Sequence, residues 1–344
     1  MRRIVVIGGG LIGIRHVAAV QAHGGCELAG LVDPDMSIDA GADVARFADI
    51  SDVTGHVDGA IIATPTGLHA AHGIAAAQRG WHVLIEKPVA ADMEGAASLQ
   101  AALEAAGVGS LVGHHRRYHA PVQQLRDMLA GGAIGRVVTA SLIWAMRKPD
   151  AYFEGNWRTA GGSPVLINLV HDIDILRFVL GEVTGVACLA GAPLRGAGRI
   201  ESGAAALQFE TGATATISFA DTAPSPWGFE AATGENPNIG TTGQDMMWIT
   251  GTKGGVSFPS LAQWRGVEWG QAAERVPVEV AVNRDVPLVA QLDHFLEVMD
   301  GAAPLIDVAD GARTLEVALE IEAGLAASLQ KATAPDSGAA GWAV

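Results

Sequence analysis

The chain has 344 residues, 49% of them hydrophobic and only 17% charged, with 37 Asp and Glu against 22 Lys and Arg and a formal net charge of −15. That length implies two domains, and the acid excess excludes a nucleic-acid backbone or an anionic membrane surface as natural partner, since both would repel it. Cys26 and Cys188 stand apart from each other with no CxxC or Cys/His cluster, so neither a disulfide framework nor structural zinc is indicated, and the apolar run after Met1-Arg2-Arg3 stops at Gly8, too soon for a signal sequence; a cytoplasmic protein is expected.

From residue 1 to 120 the pattern alternates strand and helix. Strands are predicted at 4–7, 27–32, 59–63, 82–85 and 110–112, helices at 11–23, 67–78 and 93–106, and an alanine-rich segment lies around 39–48. Parallel strands with right-handed crossovers, a doubly wound Rossmann unit, follow from that order. After residue 120 a helix at 121–130 leads through Gly131-Gly132 into an alternating run at 136–144. Further alternating runs at 184–189, 204–209, 213–219, 245–250 and 255–258 predict an open, mostly antiparallel sheet. Helices are predicted at 165–180, 288–299 and 308–328. The fold class is therefore α/β, with a nucleotide-binding domain over 1–120, a substrate and oligomerisation domain over 121–331, and an Ala/Gly/Ser-rich tail over 332–344.

The sharpest chemical signal is Gly8-Gly9-Gly10-Leu11-Ile12-Gly13, which follows the first apolar run and is followed 20 positions later by Asp33. Gly8 permits the tight turn, Gly10 lets a pyrophosphate approach the backbone, Gly13 allows helix and strand to pack closely, and the N–H groups of Leu11 and Ile12 open a helix N-terminus to the anion. Asp33 is placed to accept from the adenosine ribose hydroxyls. Asp33-Pro34-Asp35 offers carboxylates and no arginine to a 2′-phosphate, so NAD is expected over NADP.

Further residues carry a resemblance. Ala63-Thr64-Pro65 with His69, then Glu86-Lys87-Pro88 after the strand at 82–85, then Gly113-His114-His115-Arg116-Arg117-Tyr118, then Gly161-Gly162-Ser163 with His171-Asp172-Ile173-Asp174, follow the glycine motif in fixed order. This ordered set resembles the glucose-fructose oxidoreductase / inositol dehydrogenase / MocA family over nearly the whole chain. The resemblance implies a nicotinamide cofactor contacted also by Thr64, Pro65, His69, Glu86 and Lys87, and a homodimer or homotetramer associating through sheet faces.

Oxidising a secondary alcohol sends a hydride to nicotinamide while a base takes the hydroxyl proton. Lys87, at a strand end, is the first candidate for that base, and His171 is the second, because imidazole titrates near neutrality. Asn168 and Asp174 lie three residues to either side of His171 and are read as sharing its helical face. The family pattern has an aspartate four residues before this histidine; here that position is Ile167, and Asn168 is the nearest polar substitute, able to orient a hydroxyl but not to accept its proton. Asp174 is expected to hold an arginine such as Arg177 or to orient the histidine.

The stretch 144–158 gathers Arg147, Lys148, Tyr152, Phe153, Trp157 and Arg158 in a chain that is 5% aromatic; stacking rings and cations suit a hydroxylated or carboxylated ring. Arg116 and Tyr118 are added as substrate contacts, with only one of Arg116 and Arg117 expected to face inward on an extended segment. Glu230, Glu235 and Asn236 fall in a loop at 221–238 of undecided role. No metal is expected. The leading reading is an NAD-dependent dehydrogenase of a sugar, cyclitol, sugar acid or cyclic diol. Its rivals are a redox-neutral glycosidase that uses NAD, a dinucleotide-binding sensor, and a reductase running towards NAD.

Overall fold

Apolar runs without polar alternation are satisfied only when both faces of a strand are covered, and the first part of the chain is built that way. The computed structural model describes residues 1–41, 43–153, 163–196, 198–265 and 269–333. Strands β1 (Arg2–Ile7), β2 (Cys26–Val32), β3 (Arg46–Phe47), β4 (Gly59–Ile62), β5 (His82–Ile85) and β6 (Ser110–Val112) form a parallel sheet in the order β3-β2-β1-β4-β5-β6. The order reverses between β1 and β4, and ligands of such sheets bind past the carboxyl ends of the strands at that switch point. Helices α1 (Leu11–Ala22), α2 (His69–Gln78) and α3 (Met93–Ala106) make the crossovers. The last is fixed at both ends, by the Asp92 carboxylate accepting from Gly95 N–H at 2.8 Å and by Gly107 at φ 65°. The alanine-rich segment contributes the two-residue edge strand β3.

The second sheet begins after α4 (Ala120–Ala130). It holds β7 (Val137–Ala145), β8 (Val183–Ala190), β9 (Ser202–Phe209), β10 (Thr214–Ala220), β11 (Met247–Gly251), β12 (Gly254–Phe258), β13 (Gln263–Arg265) and β14 (Glu274–Val276), in the order β14-β13-β12-β11-β7-β10-β9-β8. All its pairs are antiparallel except β7 with β10. Ala215, Ile217 and Phe219 of β10 are buried while Thr214, Thr216 and Ser218 are exposed, the alternation of a sheet covered on one face. Four helices complete the chain: α5 (Val170–Leu180), α6 (Phe229–Thr233), α7 (Pro287–Met299) and α8 (Val308–Thr333). The helix expected from residue 165 opens differently, because Val165–Leu169 is π-helical before α5 begins.

The chain forms two compact units. One comprises Met1–Gln124, Ile173–Phe178 and Ala281–Glu316; the other comprises Leu125–Asp172, Val179–Val280 and the chain from Val317 onward. The first unit therefore draws on much later sequence: Leu292, Phe295, Val298 and Met299 of α7 complete the core around Ile4, Val6, Ile61 and Leu84. Burying four such side chains supplies about 1.5–3 kcal/mol each. Among the described residues no helix is long and apolar enough to cross a membrane.

Candidate functional site

At the switch point of the first sheet lies a cavity of about 650 Å³ whose walls include Gly8, Gly10, Asp33, Pro34, Thr64 and Pro65. Gly8 has φ 102°, and a Cβ there would stand 2.6 Å from the Ala63 carbonyl oxygen; only glycine fits. A Cβ at Gly13 would collide with the Gly8 carbonyl, whereas one at Gly10 would meet nothing within 4 Å, so backbone is bare where an anion approaches. Gly10 provides the N-cap of α1 without a side-chain hydrogen bond, and no acid occupies the first turn, which leaves the positive helix end available. Leu11 is exposed there and Ile12 half-buried.

Asp33 is held by the loop it serves. Its Oδ2 accepts from Gly9 N–H at 2.7 Å and its Oδ1 from Asp35 N–H at 2.9 Å. Asp35 itself turns to Ser37, whose hydroxyl and N–H donate to it and keep its carboxyl below the usual range. An arginine does come close, from β3: Arg46 donates to the carbonyl oxygens of Ile38 and Asp35. Arg46 reaches that loop from β3, outside the Asp33-Pro34-Asp35 run.

His69 ties two strand exits together. Its Nδ1 is 2.7 Å from the carbonyl oxygen of Pro88 and its Nε2 is 2.8 Å from that of Thr64. Burial, the largest influence, pushes its proton affinity down against the pull of those two carbonyls, so the neutral ring donates to one of them at a time. The clamp sets Glu86-Lys87-Pro88, at the end of β5, beside the Thr64-Pro65 wall of the cavity. Lys87 is half-buried. Glu86 is buried, and its carboxylate faces inward to protein: Oε1 is 2.9 Å from His16 Nε2 and Oε2 accepts from Lys87 N–H at 3.2 Å. Although burial raises its pKa, the His16 hydrogen bond and the charges of His16, His115 and Lys87 prevail and bring it down to about 2. Glu86 thus anchors the start of the Glu86-Lys87-Pro88 turn.

The segment after β6 departs from expectation. Residues His115–Tyr118 form a 3-10 turn, not an extended segment, and Arg116 and Arg117 are both buried. Arg117 makes a bidentate pair with Asp174, Nε to Oδ2 at 2.9 Å and Nη2 to Oδ1 at 2.7 Å, and a further bond to Asp310 at 2.6 Å. Asp174 thus holds Arg117; Arg177 donates to Asp310 and to the Thr314 hydroxyl, which in turn donates to Asp174 Oδ1. Tyr118, read as a substrate contact, places its hydroxyl 2.9 Å from His294 Nδ1. His114 lies 3.7 Å from Asp174, with burial pushing its pKa down to about 4.

The second unit contributes its own polar chain. Lys148 Nζ donates to Asn168 Oδ1 at 2.5 Å, Asn168 Nδ2 donates to Glu230 Oε1 at 3.4 Å, and Trp144 Nε1 donates to Glu230 Oε2 at 3.1 Å. Lys148 also lies 4.8 Å from the centre of the Tyr152 ring and 5.5 Å from that of Trp144. Asn168 sits in the π-helical stretch just ahead of His171, which is buried; single turns of this kind gather at functional sites. Their wider turn changes the angle between Asn168 and His171 from that read on an ideal α-helix. Glu230, left undecided in its loop, is fixed here by the short helix α6. Trp157 and Arg158 lie outside the described residues. Among the described residues no group of three or more His, Cys, Asp or Glu side chains is placed to hold a metal ion.

A Rossmann unit with a glycine turn, an acid at the exit of the second strand and a strand-end lysine, followed by a second unit on an open sheet, defines a class of NAD-binding oxidoreductases. Residues 2–114 match the oxidoreductase family with an NAD-binding Rossmann fold, and residues 122–257 match the GFO/IDH/MocA C-terminal domain. The chain belongs to the Gfo/Idh/MocA oxidoreductase family. Curated relatives include the 1,5-anhydro-D-fructose reductase of Ensifer adhaerens, 35% identical over 199 residues that cover 54% of this chain and 57% of that protein. The rhizopine catabolism protein MocA of Rhizobium meliloti is 29% identical over 185 residues, 52% of this chain and 57% of that protein. The chain thus spans little more than half the length of the curated relatives it matches. Among solved structures, an oxidoreductase from Agrobacterium radiobacter in complex with NAD+, L-tartaric acid and magnesium superposes with TM-score 0.75 at 19% identity, covering 94% of this chain and 96% of that one. A putative NADPH-dependent oxidoreductase from Desulfitobacterium hafniense gives 0.79 at 20% identity, with 96% of each chain covered.

Proposed function

We propose that the protein is an NAD-dependent dehydrogenase that oxidises a secondary alcohol of a sugar, cyclitol, sugar acid or cyclic diol, reversibly, in the cytoplasm. The observation that carries this reading is the His69 clamp, which holds the Lys87 turn against the wall of the cavity at the switch point. Bound NAD supplies the hydride acceptor. Lys87 Nζ takes the proton as the substrate O–H bond breaks and steadies the charge developing on that oxygen. His171 shares the proton work, and Asn168, its carbonyl held by Lys148, donates from its amide to a substrate hydroxyl. NAD is preferred to NADP because Asp33 presents a fixed carboxylate to the ribose while Arg46 is committed to backbone carbonyls. The substrate class is supported by relatives named for a sugar-derived reductase and a carboxylated cyclic diol dehydrogenase. Association as a homodimer or homotetramer through the outer face of the second sheet is supported by its exposed Trp248 and Trp264.

The test is NADH absorbance on mixing the protein and NAD with inositols, aldonic and uronic acids, hexoses, pentoses and cyclic diols, with NADP in parallel. A signal with NAD names the class. Silence across the panel from a protein that carries bound NAD would overturn the reading in favour of the redox-neutral glycosidase or the sensor.

A further inference from the structure

Lys148 and Asp221 follow the parallel neighbours β7 and β10 out of the second sheet, and the loop between β8 and β9 reaches across to both. That loop is pinned from inside. Glu201, buried at its end, accepts from Leu194 N–H at 2.5 Å and from Arg195 N–H at 3.0 and 3.1 Å. From this fixed base the Arg195 guanidinium makes four bonds: Nη1 to Asp221 Oδ1 at 2.6 Å, Nη2 to the carbonyl oxygens of Asp221 at 2.6 Å and Lys148 at 3.0 Å, and Nε to Asp150 Oδ1 at 3.3 Å. Its centre also lies 4.8 Å from that of the Phe153 ring. The Asp221 carbonyl accepts from Lys148 N–H as well, at 2.9 Å. Lys148 is therefore gripped on both sides, at its N–H by Asp221 and at its carbonyl by Arg195.

A lysine side chain is a long flexible stem, and it holds one direction only when its backbone is held first. Lys148 needs that direction, because its ammonium can only donate and so requires Asn168 to present its oxygen, at 2.5 Å. The Asn168 amide nitrogen then faces the other way, with Glu230 Oε1 at 3.4 Å. We propose that Arg195 is a positioning residue for substrate recognition: by fastening the Lys148 carbonyl to Asp221 it aims the Lys148 ammonium at Asn168 and thereby fixes which way the Asn168 amide donates. The inference rests on the reading of Asn168 as a substrate contact. Among the described residues Arg195 makes no bond to Asn168, so it acts through Lys148. Only a planar fork reaches a carboxylate and two carbonyl oxygens at once, which makes arginine and lysine unequal at this position.

The first experiment needs no substrate. Full-length protein is labelled with trace acetic anhydride, and acetylation of Lys148 is read by peptide mass spectrometry against Lys253, which is exposed on the turn between β11 and β12. Wild type is compared with Arg195→Lys, which keeps the charge and loses the fork, with Asn168→Ala, and with the double variant. The Lys148 to Lys253 ratio is expected to rise about fivefold in Arg195→Lys and at least as much in Asn168→Ala. The double variant is expected to match Asn168→Ala, because Arg195 then has no contact left to steady. An unchanged ratio in Arg195→Lys, or a further rise in the double variant over Asn168→Ala, overturns the proposal. If Arg195→Lys does not fold, Asp221→Asn, which removes the charge that holds Nη1, takes its place, and an unchanged ratio in it overturns the proposal. With an alcohol of the panel that reduces NAD, Arg195→Lys is expected to raise KM for that alcohol about fivefold at unchanged kcat, whereas a merely loosened fold lowers kcat. A KM unchanged in Arg195→Lys but raised in Asn168→Ala overturns the proposal. A KM unchanged in both would instead remove the substrate reading of Asn168 and leave the labelling result standing, so the two failures are distinct.

Discussion

Glu322 gives the second unit a stability that depends on pH in the direction opposite to most carboxylates. It lies on the α8 helix between Ile321 and Leu325, which are buried, and its Oε1 is enclosed with no hydrogen-bond partner among the described residues. Burial raises its pKa from 4.5 to about 7. A carboxyl whose folded pKa is raised stabilises the fold fully below its unfolded value, and that contribution is lost as pH climbs through the folded one. Between pH 4.5 and pH 8 the loss comes to about 3 kcal/mol at 1.36 kcal/mol per tenfold change, or about 2 after allowing for the part of the side chain that stays in water. Glu322→Gln removes the charge and keeps the shape, so it should gain about 2 kcal/mol at pH 8 and almost nothing at pH 4.5. For a unit of this size that is a rise of about 4–8 °C in melting temperature. Thermal unfolding of wild type and variant at the two pH values measures it, with every other titrating group cancelling in the difference. An equal gain at both pH values, or a loss at pH 8, would refute the reasoning.

The other expectations concern the site. Asp33→Ser combined with Pro34→Arg removes the carboxylate proposed to meet the ribose and adds a cation, and should move preference towards NADP by at least about tenfold; unchanged cofactor selectivity in steady-state kinetics would show that another residue reads the ribose. Asp174→Asn leaves the Arg117 guanidinium buried with half its bidentate pairing gone, and should cost about 3–5 kcal/mol in urea unfolding; a loss below about 1 kcal/mol would mean that Asp310 alone suffices. Lys148→Met frees the Asn168 carbonyl and should lower kcat/KM by about 10- to 100-fold while NAD affinity holds; an unchanged kcat/KM would detach this network from the substrate.

What the sequence reveals and what it hides divide along a physical line. The runs Ile4–Ile7 and His82–Ile85 are legible because a strand covered on both faces has no choice but to be apolar, and the helix over 93–106 is legible because Asp92 and Gly107 mark its ends. The glycine turn is legible for the same reason: Gly8 and Gly13 sit where no side chain fits. The short strands Gln263–Arg265 and Glu274–Val276 are not, since three residues at a sheet edge need no buried alternation. Side-chain pairings across long separations are hidden altogether. Nothing in the spacing of Arg117, Asp174 and Asp310 marks them as partners, and a histidine on a buried helix face reads as packing until Glu86, 70 positions on, is found beside it. The π-helical run at Val165–Leu169 is likewise not legible in the spacing of Asn168 and His171, which is the same whether the turn is α or π. Chemistry-bearing residue types were thus readable one at a time, while the surroundings that decide what each can do belong to the folded arrangement: Glu86 is a buried carboxylate anchored against His16 and held well below its usual range, and the same residue facing water would be an ordinary carboxylate.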